Sequence, residues 1–437
     1  MLVRLVAVVL LVLLSASAFQ LAFNVKLVRA DNPSSWPMFG HDPAHSGYSS
    51  STGPTTNQTL WSYKTGGWVE CSPTVANGTV YVGSEDGKVY ALNALTGALV
   101  WKYQTVFYGL SSSPAIVNNI LYVGAGGDVY ALNATTGALM WLYQTGGTVQ
   151  SSPDVANGIV YVGSGDESIS PSVANGMVYF GTENDNVCAL NATTGALVWK
   201  YNPADANGTV LPAPLNMLFN VYAMNALTGA LMWNYTTGNY VFSSPAIANG
   251  IVYAGSLDNN VYALNAVTGV LVWKYPTSYA VSSSPAVANG VVHIGSGGDV
   301  YALNATTGAL MWNSATSSGP SNEVYSPAVA GGVVYVGSWD GHVYALNATT
   351  GAAVWKYETG GSVDSSPTVT NGVVYVGSWD DKVYAFGPAG HPVLFVVALA
   401  IVVAAISFFV AVAMKRERKR PTPDTAQPLP GNGLKES

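Results

Sequence analysis

The sequence predicts an all-β fold: an eight-bladed β-propeller of four-stranded blades, closed by an N-terminal strand and followed by one C-terminal transmembrane helix. Three observations predict it. A unit of strand, tight turn and strand recurs as Val89–Trp101, Val129–Trp141, Val187–Trp199, Val221–Trp233, Val261–Trp273, Val300–Trp312 and Val343–Trp355. Its tryptophans, with Trp61 ahead of them, fall mostly near 40 residues apart, the period of a propeller blade. Beyond the last repeat, Val393–Met414 runs for 22 residues without a charge, long enough to cross a bilayer as a helix.

Each element has its own reason. The alternation in Val-Tyr-Ala-Leu is that of a half-buried strand. Asn-Ala-Thr-Thr-Gly supplies turn formers, with Gly where a positive φ costs least. Ala-Leu-Met-Trp opens a second strand and holds Trp at a fixed offset. Upstream lie Ser72–Ser84, Ser244–Ser256 and Ser366–Ser378, each reading as strand, Asn-Gly hairpin turn and strand. Counting Trp61, Trp101, Trp141, Trp199, Trp233, Trp273, Trp312 and Trp355 gives eight blades, each Trp expected to dock between neighbours. Thr59–Thr65 is a fourth strand without predecessors, and Ser366–Phe386 has three strands and no Trp. Together they complete one blade and remove the exposed sheet edges. Residues 150–220 are the irregular sector. Ser152–Glu167 is a spare front half, and Leu211–Leu218, with two prolines, stands where a strand is expected. Seven or nine partial blades are the alternatives there.

The pattern Ala-Leu-Asn-Ala-x-Thr-Gly-x-x-x-Trp resembles the PQQ-like β-propeller repeat and its tryptophan-docking motif, over residues 36–387. That family includes quinoprotein dehydrogenases and the BamB-like outer-membrane assembly scaffold, so the resemblance implies the fold more sharply than the function. The dehydrogenases pair an adjacent Cys-Cys with Glu, Asn and Asp around a calcium beside PQQ. No Cys-Cys occurs here, so no cofactor is expected, with PQQ and calcium as the alternative. Trp36–Gly47 resembles the family's lead-in. Its His41 and His45 are separated by Pro43 and lack a third ligand nearby, which favours packing over metal.

Charged residues make up only 9% of the chain. Residues 31–390 hold 20 acids against 7 Lys/Arg, which argues against nucleic acid as a partner. Residues 1–30 read as a secretory signal, cleaved after Ala18 or Ala30, with an uncleaved anchor as the alternative. Residues 388–392 form a short linker, 393–414 the expected span, and 415–437 a basic, disordered tail. The five Lys/Arg in Lys415–Arg420 mark a cytoplasmic flank. The expected location is therefore the cell membrane, single-pass, with the propeller extracytoplasmic. Cys71 and Cys188 imply no disulfide framework, and Cys188, standing where Tyr recurs, reads as a small buried residue.

Loops between strands two and three, and between blades, share one face, here the upper one. They carry carboxylates and aromatics. The candidate binding face is Trp68, Tyr108, Tyr240, Tyr279, Trp339, Asp340, Trp379 and Asp380. Turn chemistry alone explains any single Asp, whereas clustered aromatics mark binding surfaces. Asn-x-Ser/Thr acceptors for N-glycosylation stand at Asn57, Asn77, Asn133, Asn191, Asn207, Asn234, Asn304 and Asn347, mostly on the lower face. No catalytic or metal set emerges. The reading is a membrane-anchored, non-catalytic binding scaffold for protein or glycan partners. A cell-surface adhesive or coat protein is the alternative, and a PQQ-dependent dehydrogenase is a further one.

Overall fold

The computed structural model describes residues 35–388, apart from 43, 107–108, 146–153, 157–158, 164–171, 182–185, 202–218 and 317–322. The described strands form eight sheets. Their innermost strands touch in a closed ring: Thr74–Ala76, Ala115–Val117, Ser172–Ala174, Asp154–Ala156, Ala246–Ala248, Ala286–Ala288, Ala328–Ala330, Thr368–Thr370 and back to the first. Seven sheets are blades whose three inner strands are consecutive in sequence. In the last of these, Gln58–Lys64 pairs antiparallel with Lys382–Gly387, Trp61 facing Ala385, and closes the ring.

The remaining sheet is built differently. Asp154–Ala156 and Ile159–Gly163 pair not with the next strands but with Asn220–Asn225 and Leu231–Thr236. The whole blade of Ser172–Ala174, Met177–Gly181, Val187–Asn191 and Leu197–Tyr201 is inserted between the two halves and precedes the composite sheet in the ring. The spare front half and the missing one thus belong to a single sheet.

The expected class, eight like blades plus a C-terminal helix, is corrected on two points. Seven sheets are regular blades and one is a composite of remote pieces. Among the described residues there is no helix, and so none long and apolar enough to cross a membrane. Single-pass attachment through a C-terminal helix, and the location built on it, are corrected with it. The expected signal 1–30, the linker beyond residue 388, the span 393–414 and the tail 415–437 lie outside the described residues.

One contact joins each outer strand to the next sheet. The indole Nε1 of Trp61 donates to the Ala94 carbonyl at 3.0 Å, and its ring lies over Gly97, where a Cβ would come within 2.7 Å. Trp101, Trp141, Trp199, Trp233, Trp273 and Trp312 repeat this on Ala134, Ala192, Ala226, Ala266, Ala305 and Ala348. A second donor often shares the carbonyl, as Tyr375 Oη does at Ala94 and Tyr253 Oη at Ala305. In the closing blade no turn joins strands three and four, so no Ala is offered. Pro54, from the segment ahead of the closing strand, presents its carbonyl to Trp355 at 3.0 Å and to Tyr335 at 2.9 Å.

Inside the ring, Trp36–Ser49 crosses the central channel. Free inner-edge N–H groups of Ile116, Ile247, Val287 and Val329 donate to the carbonyls of Pro37, Ala44, Ser46 and Gly47. Unpaired inner edges would otherwise be a liability. Met38 packs among Ala115, Tyr122 and Val173. The lead-in thus plugs the channel and leaves it open upward.

The docking contact makes a quantitative prediction. Trp273→Ala leaves a cavity at a buried seam and should cost ~3–5 kcal/mol. Gly308 has φ +72° and lies under the Trp273 ring, so Gly308→Ala should cost ~1–3 kcal/mol. The double variant should lose less than the sum, because removing the ring removes the clash. Urea unfolding of the four proteins checks this.

Candidate functional site

The site is built from the inter-blade motif Val-x-Ser-Ser-Pro. Its first residue is a buried anchor, as at Val69, Val281 and Val363, all fully buried. The first Ser caps a Gly N–H of its own blade, as Ser243 caps Gly255 at 2.7 Å and Ser365 caps Gly377 at 2.7 Å. Cys71 takes this role for Gly83 at 3.0 Å, and burial pushes its thiol up to about 12. The second Ser staples neighbouring blades. Ser72 Oγ accepts from Ser366 N at 3.0 Å, Ser113 Oγ from Ser72 N, Ser284 Oγ from Ser244 N and Ser326 Oγ from Ser284 N, each at 2.9 Å. Only x is left without a duty in the frame.

These x positions, Glu70, Ser111, Phe242, Ser282 and Asp364, face the channel. With Glu323 and Tyr325, from a motif one residue shorter, they line an upper funnel of about 430 Å³. Phe39 of the lead-in reaches its floor. The acids lie on one side, on loops entering three neighbouring blades. Burial, then repulsion from Glu85 and Asp364, raises Glu70 to about 7. Burial raises Asp364 to about 6, against the indole of Trp339 and the hydroxyl of Tyr325. Two lysines beside the turn tips of this face are committed: Lys88 Nζ to Asp86 and Lys382 Nζ to Asp380, both at 2.7 Å.

The rim beside these acids is aromatic. Trp68 and Trp379 stack in parallel with centroids 4.6 Å apart, and Trp339 meets Trp379 edge-on at 6.2 Å. Trp339 Nε1 donates to Asp364 Oδ2 at 3.1 Å, tying rim to funnel wall. Trp68 and Trp339 remain 47% and 45% exposed.

The other residues expected on this face are engaged outside the indole cluster or lie outside the described residues. Tyr240 packs on Phe219 and Phe242, in a separate cluster. Tyr279, 37% exposed, covers Gly297, and Tyr108 lies outside the described residues. Asp340 and Asp380 serve their turns, each Oδ2 accepting a tyrosine hydroxyl: Tyr344 at 2.6 Å and Tyr384 at 2.5 Å. Glu70, Glu323 and Asp364 escaped the sequence reading. For Glu70 and Asp364 the signal is the x position, where otherwise similar motifs differ, whereas Glu323 precedes the Val of its motif and carries no such signal.

Of the glycosylation candidates, Asn133, Asn191, Asn304 and Asn347 cap their own turns through Oδ1. Asn57 Nδ2, the atom a glycan would need, donates to Lys356 O at 2.9 Å. Asn77 and Asn234 are exposed, and Asn207 lies outside the described residues. Both cysteines are free and buried. His45 is buried edge-on against Phe39, and His41 contacts Trp36.

Docked tryptophans on a closed ring of four-stranded sheets define a PQQ-like β-propeller. The chain belongs to the outer membrane protein assembly factor BamB family, matching it over residues 50–113, 107–217, 206–326 and 298–389. Solved structures agree on the fold. BamB from Moraxella catarrhalis is 21% identical with a TM-score of 0.60, covering 77% of this chain and 99% of its own. A europium-containing methanol dehydrogenase is 16% identical at 0.64, covering 81% and 98%. Quinohemoprotein alcohol dehydrogenase from Comamonas testosteroni is 18% identical at 0.64, covering 84% and 82%. No curated protein sequence matches this chain.

The funnel does not fit PQQ with calcium. Among the described residues no three His, Cys, Asp or Glu side chains converge as metal ligands. PQQ carries carboxylates of its own, which the acids of this wall would repel.

The acids predict a pH dependence. Glu70 and Asp364 hold protons more tightly in the folded chain than in the unfolded one, so the folded state binds more protons between about pH 3.8 and 7. Stability from these groups is full below that window and is lost as pH rises through it. The wild-type melting temperature should fall from pH 5 to pH 8, and Glu70→Gln should flatten that fall. Thermal unfolding at both pH values checks it.

Proposed function

We propose that this protein is a non-catalytic binding module whose partner docks on the upper face, over the rim of Trp68, Trp339 and Trp379. The observation that carries the reading is that rim. Three indoles from adjoining loops form one cluster, with Trp68 and Trp339 exposed and Trp379 packed between them, although the frame demands aromatics only at the blade seams. Aromatic clusters of this kind dominate binding energy at protein interfaces. A polypeptide partner is favoured over a glycan, because the family is named for protein assembly. An adhesive or coat role would use the same face. The dehydrogenase reading is disfavoured by the ligand geometry and charge of the funnel.

A photo-cross-linking residue at position 339 tests the reading in cells of the source organism. It should give a discrete adduct that Trp68→Ala weakens by about tenfold, the scale of a 1.4 kcal/mol hot spot. The same residue at position 307, on the opposite face, should give none. Equal adducts from both positions would sink the proposal.

A further inference from the structure

Three carboxylates line the funnel, and donors from the protein meet them only in part. Asp364 Oδ1 is buried and unpartnered, and the indole N–H of Trp379 points toward that carboxylate without closing a hydrogen bond. Beneath the funnel a small void continues between Phe39 and Ser72, Ser284, Ser326 and Ser366. His45 lines it, only 2% exposed. Its ring bonds the Pro245 carbonyl, which takes the other nitrogen as donor and leaves unpartnered Nδ1 as an acceptor. Ser282 Oγ already contacts Glu323 at 3.3 Å, so hydroxyls turn toward the acids without neutralising them.

A cluster of carboxylates only partly met by donors calls for a ligand that donates and carries positive charge. Ammonium and guanidinium are the side-chain groups of that kind. Exposed indole faces at the mouth add cation–π attraction. A bare metal ion fits less well, since no three His, Cys, Asp or Glu ligands converge among the described residues. We infer that the funnel receives a cationic side chain, arginine or lysine, of a partner polypeptide, held between the indoles of the rim and the carboxylates of Glu70, Glu323 and Asp364. The inference rests on the binding-face reading and names the chemistry of its partner. A polypeptide is required rather than a free amine because Trp68 and Trp339 extend contact area outside the funnel, where a small cation has nothing to place.

The test uses the full chain and three probes at physiological salt: a short labelled peptide bearing two arginines between glycines, its citrulline counterpart, and free spermidine as competitor. Fluorescence anisotropy should show the arginine peptide binding at least about tenfold more tightly than the neutral isostere, as expected for loss of a charge-assisted contact. Glu70→Gln and Asp364→Asn should each erase most of that difference, and Trp339→Phe should retain it. Glu70→Gln leaves the Trp339 bond to Asp364 intact, so it serves if Asp364→Asn perturbs the rim. Equal binding of the two peptides, or no binding of either, overturns the cation inference. The binding-face reading would then stand or fall by the cross-linking result alone. Spermidine displacing the peptide in equimolar amounts would overturn the choice of a polypeptide.

Discussion

The structure depends on one acceptor used repeatedly, the carbonyl of the Ala after the turn asparagine. It takes an indole N–H from the preceding sheet and, at most seams, a tyrosine hydroxyl from the same sheet. A single neutral hydrogen bond contributes about 1 kcal/mol. Here it also orients the indole over a glycine, so burial of the ring and the bond reinforce each other. The Asn side chain holds the turn that presents both the carbonyl and the glycine, as Asn304 Oδ1 does for Thr306 N and Thr307 N. Sequence repetition is the direct imprint of this joint. Where His293 replaces the tyrosine, its Nε2 still reaches the Ala348 carbonyl at 3.4 Å, which shows that the seam selects a ring with a polar tip.

Uniform joints have a topological consequence. Because the front halves 154–163 and 172–181 present nearly the same edge, either could pair with either back half; strand register alone does not separate them. Chain connectivity would favour pairing with the next strands, Val187–Asn191. The observed composite sheet instead gives that partner to Met177–Gly181, joined by the shorter connection, and leaves Ile159–Gly163 for Asn220–Asn225. A short connection costs less closure entropy than a long one, which settles the choice.

That composite marks where the sequence was legible and where it was not. Strands, turns, docking tryptophans and the closing strand all follow from periodicity and local turn chemistry, and so could be read. Pro54 could not, because a backbone carbonyl carries no side-chain signature. The lead-in could be placed at the start of the domain, but its path across the channel depends on free strand edges that only the assembled ring creates. At the site, Trp68, Trp339 and Trp379 were found from their type and their loops. Tyr240 and Tyr279 share that type and those loops, yet their rings are taken up by Phe219 and Gly297. The funnel acids carry no repeated signature, unlike the carboxylates at the turn tips. Those tips repeat, and repetition marks a task shared by every blade.

The same reasoning locates function within a repeat protein. Residues that recur in every copy are answering to the fold: Trp to the seam, Asp to its tyrosine, Ser to a neighbouring amide. Asp86, Asp258, Asp340 and Asp380 each bond the hydroxyl four residues on, and that common geometry leaves their carboxylates little to offer a ligand. The x of Val-x-Ser-Ser-Pro answers to nothing in the frame, and it varies from Glu to Ser to Phe to Asp around the channel. A residue type that burial penalises and no frame contact repays is retained at a cost, as Glu70 is when burial and its acidic neighbours push it to about 7. That cost is recovered only when something of opposite charge enters the funnel.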